Sequence, residues 1–408
     1  MIISKISIEN FKAINSLNFE PRMINLIVGK NNTGKSTLLD AIHISYKPEV
    51  LKLFSGNLSK LISTNLASRG AKIAVNYREG NESTLILTLP NTAQVQTHFK
   101  DFVREACRFH LNAIGSSLSE ASEKILEQEL GTFLDDKTTL RLAQYTLLVK
   151  SKGVEKPYLS VSPNKGFEIL LKLSELLIGK LAELSNKDSE RAKYFILDYY
   201  FNSYLPKYDA RTRAKRDSPV EIIDFNEAED LEPNSEDPDL KSKVKRIEEI
   251  IKENNILEGL ERFDLDALLF VDDNGKEFQI PFDFMGDGFR QLVAILWKLN
   301  SKETKNKVVL VDEIESHMHP GYVAELTKII VTLSKNMGLQ FFITTHSLDV
   351  IDSFLELEAF SDEEKVYLQK EFLILRMERI GNCVVLDTKD YDKARSVRKD
   401  ILSDLRGI

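Results

Sequence analysis

Cysteine and long apolar runs are scarce in this sequence, and each shortage removes a class of protein. Its 408 residues contain two cysteines, Cys107 and Cys383, and one tryptophan. Two widely separated thiols build neither a zinc site nor a disulfide framework, so a reducing, intracellular compartment is expected. No apolar run approaches the roughly 20 residues that a membrane helix needs. Residues 1–14, MIISKISIENFKAI, alternate like a strand and hold no apolar signal-peptide block. A cytoplasmic location and no membrane partner are therefore expected. Basic charge is also in deficit: 55 Lys and Arg stand against 63 Asp and Glu, a net charge of −8. That excludes a generally basic, nucleic-acid-coating surface and leaves a local patch as the route to any such contact.

What is present is a phosphate loop. Residues 29–37 read GKNNTGKST, matching G-x-x-x-x-G-K-[ST] without a mismatch. The apolar run Ile24 to Val28 before it reads as a buried parallel strand, and Leu38 to Ile42 after it has helical spacing. Gly29 and Gly34 let the backbone bend, so that its N–H groups, through Asn31, Asn32, Thr33 and Thr37, can face phosphate oxygens. The helix N-terminus adds its positive dipole end. Lys35 brings a point charge for the β- and γ-phosphates, and the Ser36 hydroxyl is a ligand for Mg²⁺. ATP and Mg²⁺ are the expected cofactors.

Three further segments carry chemistry. Val308 to Val311 is an apolar run ending in Asp312-Glu313, where open α/β sheets bind ligands. Asp312 is expected to hold Mg²⁺ opposite Ser36, and Glu313 to polarise the attacking water. His346 follows another buried strand, Gln340 to Thr344, and is placed to sense the γ-phosphate. Residues 284–292, FMGDGFRQL, form a glycine turn that opens an apolar helix.

These pieces, in this order, resemble the ABC-type ATPases of the SMC, RecF and OLD group, most closely the compact prokaryotic AAA-like or OLD-like ATPases. The likeness rests on Ile8 to Lys12, the phosphate loop, Met285 to Arg290, Val311 to Glu315 with His317 to Pro320, and Thr344 to Ser347. It covers about residues 1–90 and 265–385. The resemblance implies a P-loop NTPase of α/β class: an ABC-type lobe of mixed sheet flanked by helices, with a compact all-helical insertion. It implies an ATP-sandwiched homodimer in which Gly286 and Gly288 close on the partner's γ-phosphate, Gly286 standing where the group carries serine. It assigns Lys12 to the nucleotide, makes Gln94 and Gln96 candidates for the group's metal-contacting glutamine, and places His319 at the dimer seam. About 60 residues follow His346, too few for the nuclease domain some OLD-like enzymes carry.

The expected organisation is a first half-lobe at 1–96, the insertion at 97–264, and a second half-lobe at 265–408. The insertion includes a basic block (Arg211, Arg213, Lys215, Arg216, beside Tyr204 and Tyr208) and an acidic loop at 217–240, with nine acids and no base from Glu221 to Asp239. Two functions fit: an ATP-driven switch on DNA in repair, maintenance or defence, or a regulatory ATPase that holds a separately encoded effector such as a nuclease or toxin.

Overall fold

The computed structural model describes residues 2–48, 51, 58–62, 70–113, 120–134, 137, 139–140, 143, 146–151, 154–159, 172, 175, 220–223, 240–253, 256–272, 274–299, 306–315, 320–381 and 383–400. Its strands are β1 (Ile3–Phe11), β2 (Ile14–Phe19), β3 (Ile24–Val28), β4 (Gly70–Tyr77), β5 (Glu82–Thr88), β6 (Thr146–Ser151), β7 (Val154–Leu159), β8 (Val220–Ile223), β9 (Leu260–Arg262), β10 (Ala267–Val271), β11 (Glu277–Pro281), β12 (Val308–Val311), β13 (Gln340–Thr345), β14 (Phe372–Ile380) and β15 (Cys383–Asp390). The helices are α1 (Lys35–Tyr46), α2 (Thr92–Ala113), α3 (Glu120–Phe133), α4 (Leu240–Glu253), α5 (Asp287–Leu299), α6 (Pro320–Met337), α7 (Leu348–Leu355), α8 (Asp362–Glu371) and α9 (Tyr391–Asp400).

The central sheet has the order β15-β14-β3-β13-β12-β8, parallel except for β15. Its strands alternate between two cores. Val309, Val311, Phe341, Ile343, Leu26 and Ile374 face one cluster, which is completed by α5, α6 and α7. Val308, Leu310, Phe342, Ile27, Leu373 and Leu375 face the other. A sheet buried on both faces requires near-continuous apolar strands, which is why β3, β12 and β13 read as unbroken runs. Each fully buried side chain of this type contributes about 1.5–3 kcal/mol.

The second core is shared with an antiparallel sheet of order β2-β1-β4-β5-β6-β7. α1 lies between the two sheets, its Leu38, Leu39, Ala41, Ile42 and Ile44 buried among Ile3, Ile6 and Ile8 on one side and Ile27 and Phe342 on the other. Buried amides join the sheets at their base. Gln340 on β13 donates to Ile3 O and Arg22 O at 2.9 Å each and accepts from Ile3 N at 2.8 Å. A small sheet, β11-β10-β9, packs its Leu268 and Phe270 into the first core.

The span 97–264 is not all-helical. β6 and β7 extend the antiparallel sheet, with Leu87 paired to Val149, so the expected boundary at 96 falls inside one sheet. A short apolar run such as Thr146 to Val149 fits a buried strand or a buried helix turn equally well, and only its pairing decides. The acidic stretch is corrected at its start as well: Val220–Ile223 is β8, a parallel partner of β12. There the β-branched Val220, Ile222 and Ile223 outweigh the neighbouring charge. The basic block 211–216, the acids 224–239, His317 and His319 lie outside the described residues.

Candidate nucleotide and metal site

The site lies at the carboxyl ends of three adjacent strands, β3, β13 and β12. The loop after β3 turns tightly. Gly29 and Gly34 have φ of 151° and 96°, and Asn32, a residue type that tolerates this region, has φ 63°. A Cβ on Gly29 would stand 2.3 Å from Met377 O, so β14 presses directly on the loop. Gly34 caps α1 and accepts from Leu38 N at 3.0 Å. Thr33 is buried and its hydroxyl donates to Lys30 O at 2.9 Å, while Asn31, Asn32 and Ser36 are exposed and Thr37 is half-buried.

Lys35 is buried, its ammonium donating at 3.0 Å to Gly29 O and at 3.0 Å to Lys30 O. Burial holds its pKa below the ordinary lysine value, against the opposing pull of the Glu313, Asp312 and Glu315 carboxylates. A buried ammonium facing carboxylates is stabilised further by any anion the loop takes up.

One strand over, Asp312 and Glu313 leave the end of β12. Asp312 Oδ1 lies 3.4 Å from Ser36 Oγ, a contact across 276 positions of sequence. Two oxygens on one octahedral magnesium at 2.0–2.1 Å are separated by about 2.9 Å in cis and about 4.1 Å in trans; the observed pair lies between, about 0.5 Å from the cis spacing, and both are hard oxygen donors. Glu313 takes φ 50°, a left-handed backbone that is uncommon for a residue with a Cβ. It is held there by its N–H, which donates to Thr344 Oγ1 at 2.7 Å. The Thr344 hydroxyl in turn donates to Asp312 Oδ1 at 2.5 Å. β13, between the phosphate strand and the acidic strand, thus organises both carboxylates.

His346, just past β13, has Nε2 3.7 Å from Glu313 Oε1, and its backbone N–H donates to Glu315 Oε1 at 2.5 Å. The structure therefore brings Lys35, Ser36, Asp312, Glu313 and His346 to one crevice. Thr344 and Glu315 belong to it and were not among the expected site residues. Both lie in segments that carry the family resemblance, Val311 to Glu315 and Thr344 to Ser347, but neither was given a role there.

Other expected residues lie elsewhere or are engaged locally. The Lys12 ammonium sits 2.6 Å from Asp40 Oδ2 on α1, and its backbone has φ 47°. Gln94 exchanges hydrogen bonds with Asn91 at the start of α2, and Gln96 reaches Leu134 O and Thr139 Oγ1 at 3.3 and 3.4 Å. Gly286 is exposed, and its carbonyl accepts from Arg290 N at 3.1 Å, placing it as the N-cap of α5 with Gly288 buried in the first turn.

Phosphate loop, acidic pair and a third strand between them define the class: a P-loop nucleotide-binding lobe of α/β type. A model of the AAA ATPase domain matches residues 1–351, and the chain belongs to that family. It is 30% identical over 123 residues to the uncharacterized protein MJECL11 of Methanocaldococcus jannaschii, covering 30% of this chain and 100% of that protein. It is 23% identical over 381 residues to the DNA replication and repair protein RecF of Francisella tularensis, covering 88% of this chain and 99% of the relative. The SMC head domain from Thermotoga maritima superposes with a TM-score of 0.45 at 13% identity, over 96% of this chain and 100% of that one. Among the described residues, no helix is long and apolar enough to cross a membrane.

Proposed function

We propose that this protein is a Mg²⁺-dependent ATPase whose nucleotide cycle closes and opens a homodimer acting on DNA, in repair, maintenance or defence against foreign DNA. The observation that carries the hydrolytic part is the 3.4 Å approach of Ser36 Oγ to Asp312 Oδ1, which joins the phosphate loop to the acidic strand. In this reading the loop N–H groups and Lys35 bind the triphosphate and neutralise its charge. Ser36 and Asp312 hold the magnesium, which when bound supplies further charge neutralisation at the phosphates. Glu313 takes the proton of the attacking water, and His346 keeps the Glu313 carboxylate and that water oriented. Lys12 contacts the nucleotide from the antiparallel sheet. Gly286 and Gly288 offer α5 N-terminal amides to the partner's γ-phosphate. The DNA-directed part is supported by the RecF relative, named for DNA replication and repair and matched over nearly its whole length.

The test is the Glu313→Gln variant. ATP affinity within a few-fold of wild type and turnover at least 100-fold slower support the assignment, since a positioned general base contributes 10²–10⁴-fold. Hydrolysis at the wild-type rate would overturn it. Duplex binding by the same variant with ATP, titrated against salt, tests the DNA arm; no salt-dependent binding would remove it. A protein partner that co-purifies with wild type and is lost from the Lys35→Ala variant would favour the effector-holding alternative.

A further inference from the structure

Glu315 has no task in the scheme above, yet its side chain reaches across 31 positions of sequence to the one segment that carries His346. The ends of β12 and β13 are joined by four hydrogen bonds. Three involve Thr344: its hydroxyl to Asp312, Glu313 N to its hydroxyl, and Ile314 N to its carbonyl at 3.3 Å. They fix the acidic pair. The fourth, His346 N to Glu315 Oε1 at 2.5 Å, fixes the histidine. The next amide is held too, Ser347 N donating to Thr345 Oγ1 at 3.0 Å, and Ser347 then caps α7 by accepting from Asp349 N at 3.1 Å. With consecutive amides tethered, the direction of the His346 Cα–Cβ bond is set from both sides.

From this geometry we propose that Glu315 is a positioning residue: its carboxylate holds the His346 backbone so that the imidazole faces Glu313. The proposal rests on the ATPase reading above. A carboxylate suits the task because a charge-assisted bond to an amide is roughly twice as strong as a neutral one. It also leaves the same acidic turn in charge of both partners. Glu313 and Glu315 flank the buried Ile314, so any movement of that turn displaces base and histidine together. Glu315 Oε1 is engaged by the His346 amide, whereas Asp312 Oδ1 accepts from Thr344 and lies toward Ser36, so the two acids serve opposite sides of the turn.

The test uses the full chain with Glu315→Ala, Glu315→Gln, His346→Ala and the Glu315→Ala/His346→Ala double variant. Glu315→Ala is expected to lower kcat roughly tenfold or more with KM for ATP within about twofold, because a displacement near 1 Å is worth up to about 100-fold. Glutamine, which retains the acceptor oxygen, is expected to restore most of that rate. The double variant should be no slower than His346→Ala alone, since the two act through one group. An unchanged kcat, a change in KM alone, or a fully additive double variant would overturn the proposal.

A second readout does not depend on turnover. The ring-proton resonance of His346 at fixed pH should move on Glu313→Gln in the wild-type background and stay still in the Glu315→Ala background. Equal movement in both would overturn the positioning role, whatever the hydrolysis rates. Equal hydrolysis by wild type and Glu313→Gln would instead count against Glu313 as the base, and no hydrolysis by wild type would count against the ATPase reading on which the proposal rests.

Discussion

The Ser36 hydroxyl and the Asp312 carboxylate stand 3.4 Å apart although 276 positions separate them. One belongs to the helix after β3 and the other to the end of β12, and these two strands are not neighbours. β13 lies between them, and its Thr344 hydroxyl sits 2.5 Å from the same Asp312 oxygen. The spacing of the two proposed metal ligands is thus set by a strand that supplies neither of them.

Replacing Thr344 with valine keeps the shape of this fully buried residue and removes its hydroxyl. Glu313 N–H then loses its acceptor and Asp312 a donor. The expected cost is about 1–3 kcal/mol of folding stability, with weaker Mg²⁺ dependence of ATP binding. Serine at the same position should recover the magnesium response. Denaturant titration and nucleotide binding at several magnesium concentrations measure both effects, and a valine variant equal to wild type in each would refute the role given to Thr344.

Gly286 stands where the family resemblance places serine, yet nothing in the fold requires a glycine there. Its backbone is not left-handed, and an added Cβ would meet no atom within 4 Å. As the N-cap of α5, Gly286→Ser should change stability by no more than about 0.5 kcal/mol, toward stabilisation. If this segment closes on a partner's phosphate, the added hydroxyl should raise the dimer fraction of the Glu313→Gln protein with ATP. Light scattering with and without nucleotide reads that fraction. A loss of stability above about 1 kcal/mol would contradict the cap geometry.

Gln340→Leu tests how the two sheets are joined. Leucine fills a similar volume but removes the Gln340 amide from Ile3 N–H and the Ile3 carbonyl, while Arg22 O keeps its bond from Asn25 Nδ2. A loss of about 2–4 kcal/mol is expected from these buried groups. A midpoint unchanged in urea would mean that water reaches this seam.

His43 on α1 gives the fold a pH dependence. Burial, reinforced by the charge of Lys47, pushes its imidazole down from 6.5 to about 4. The unfolded chain therefore takes the proton first as pH falls, so this contribution is complete above about pH 6.5 and is lost on the way down to 4. Between pH 7 and pH 5 the loss amounts to about 1–2 kcal/mol once solvent screening at this partly exposed ring is counted. His43→Gln should lack this component, so the stability gap between variant and wild type should change by that amount over the interval. Parallel stability curves would show that His43 is not the group responsible.

The phosphate loop was readable because its structure is local: strand, turn and helix follow one another within residues 24–46. Each residue type there is dictated by a backbone need or a charge. The acidic pair and His346 were readable for a related reason, since both follow apolar runs that a doubly covered sheet demands. Helical spacing alone has its limits: on α2, Phe109 stands three positions after the fully buried Ala106 and is 50% exposed.

Composition, the loop motif and the order of the apolar strands determined by themselves that this chain carries a phosphate-loop motif at the carboxyl edge of an α/β sheet. Tertiary structure alone decided which strand lies between loop and acids, that β6, β7 and β8 join the sheets, and that Thr344 and Glu315 hydrogen-bond to the Asp312-Glu313 turn and to the His346 amide. The physical reason is that a threonine or glutamate has no meaning along the chain until pairing sets a specific amide or carboxylate opposite it. Strand pairing over hundreds of residues is fixed by the whole core, and no local pattern encodes it.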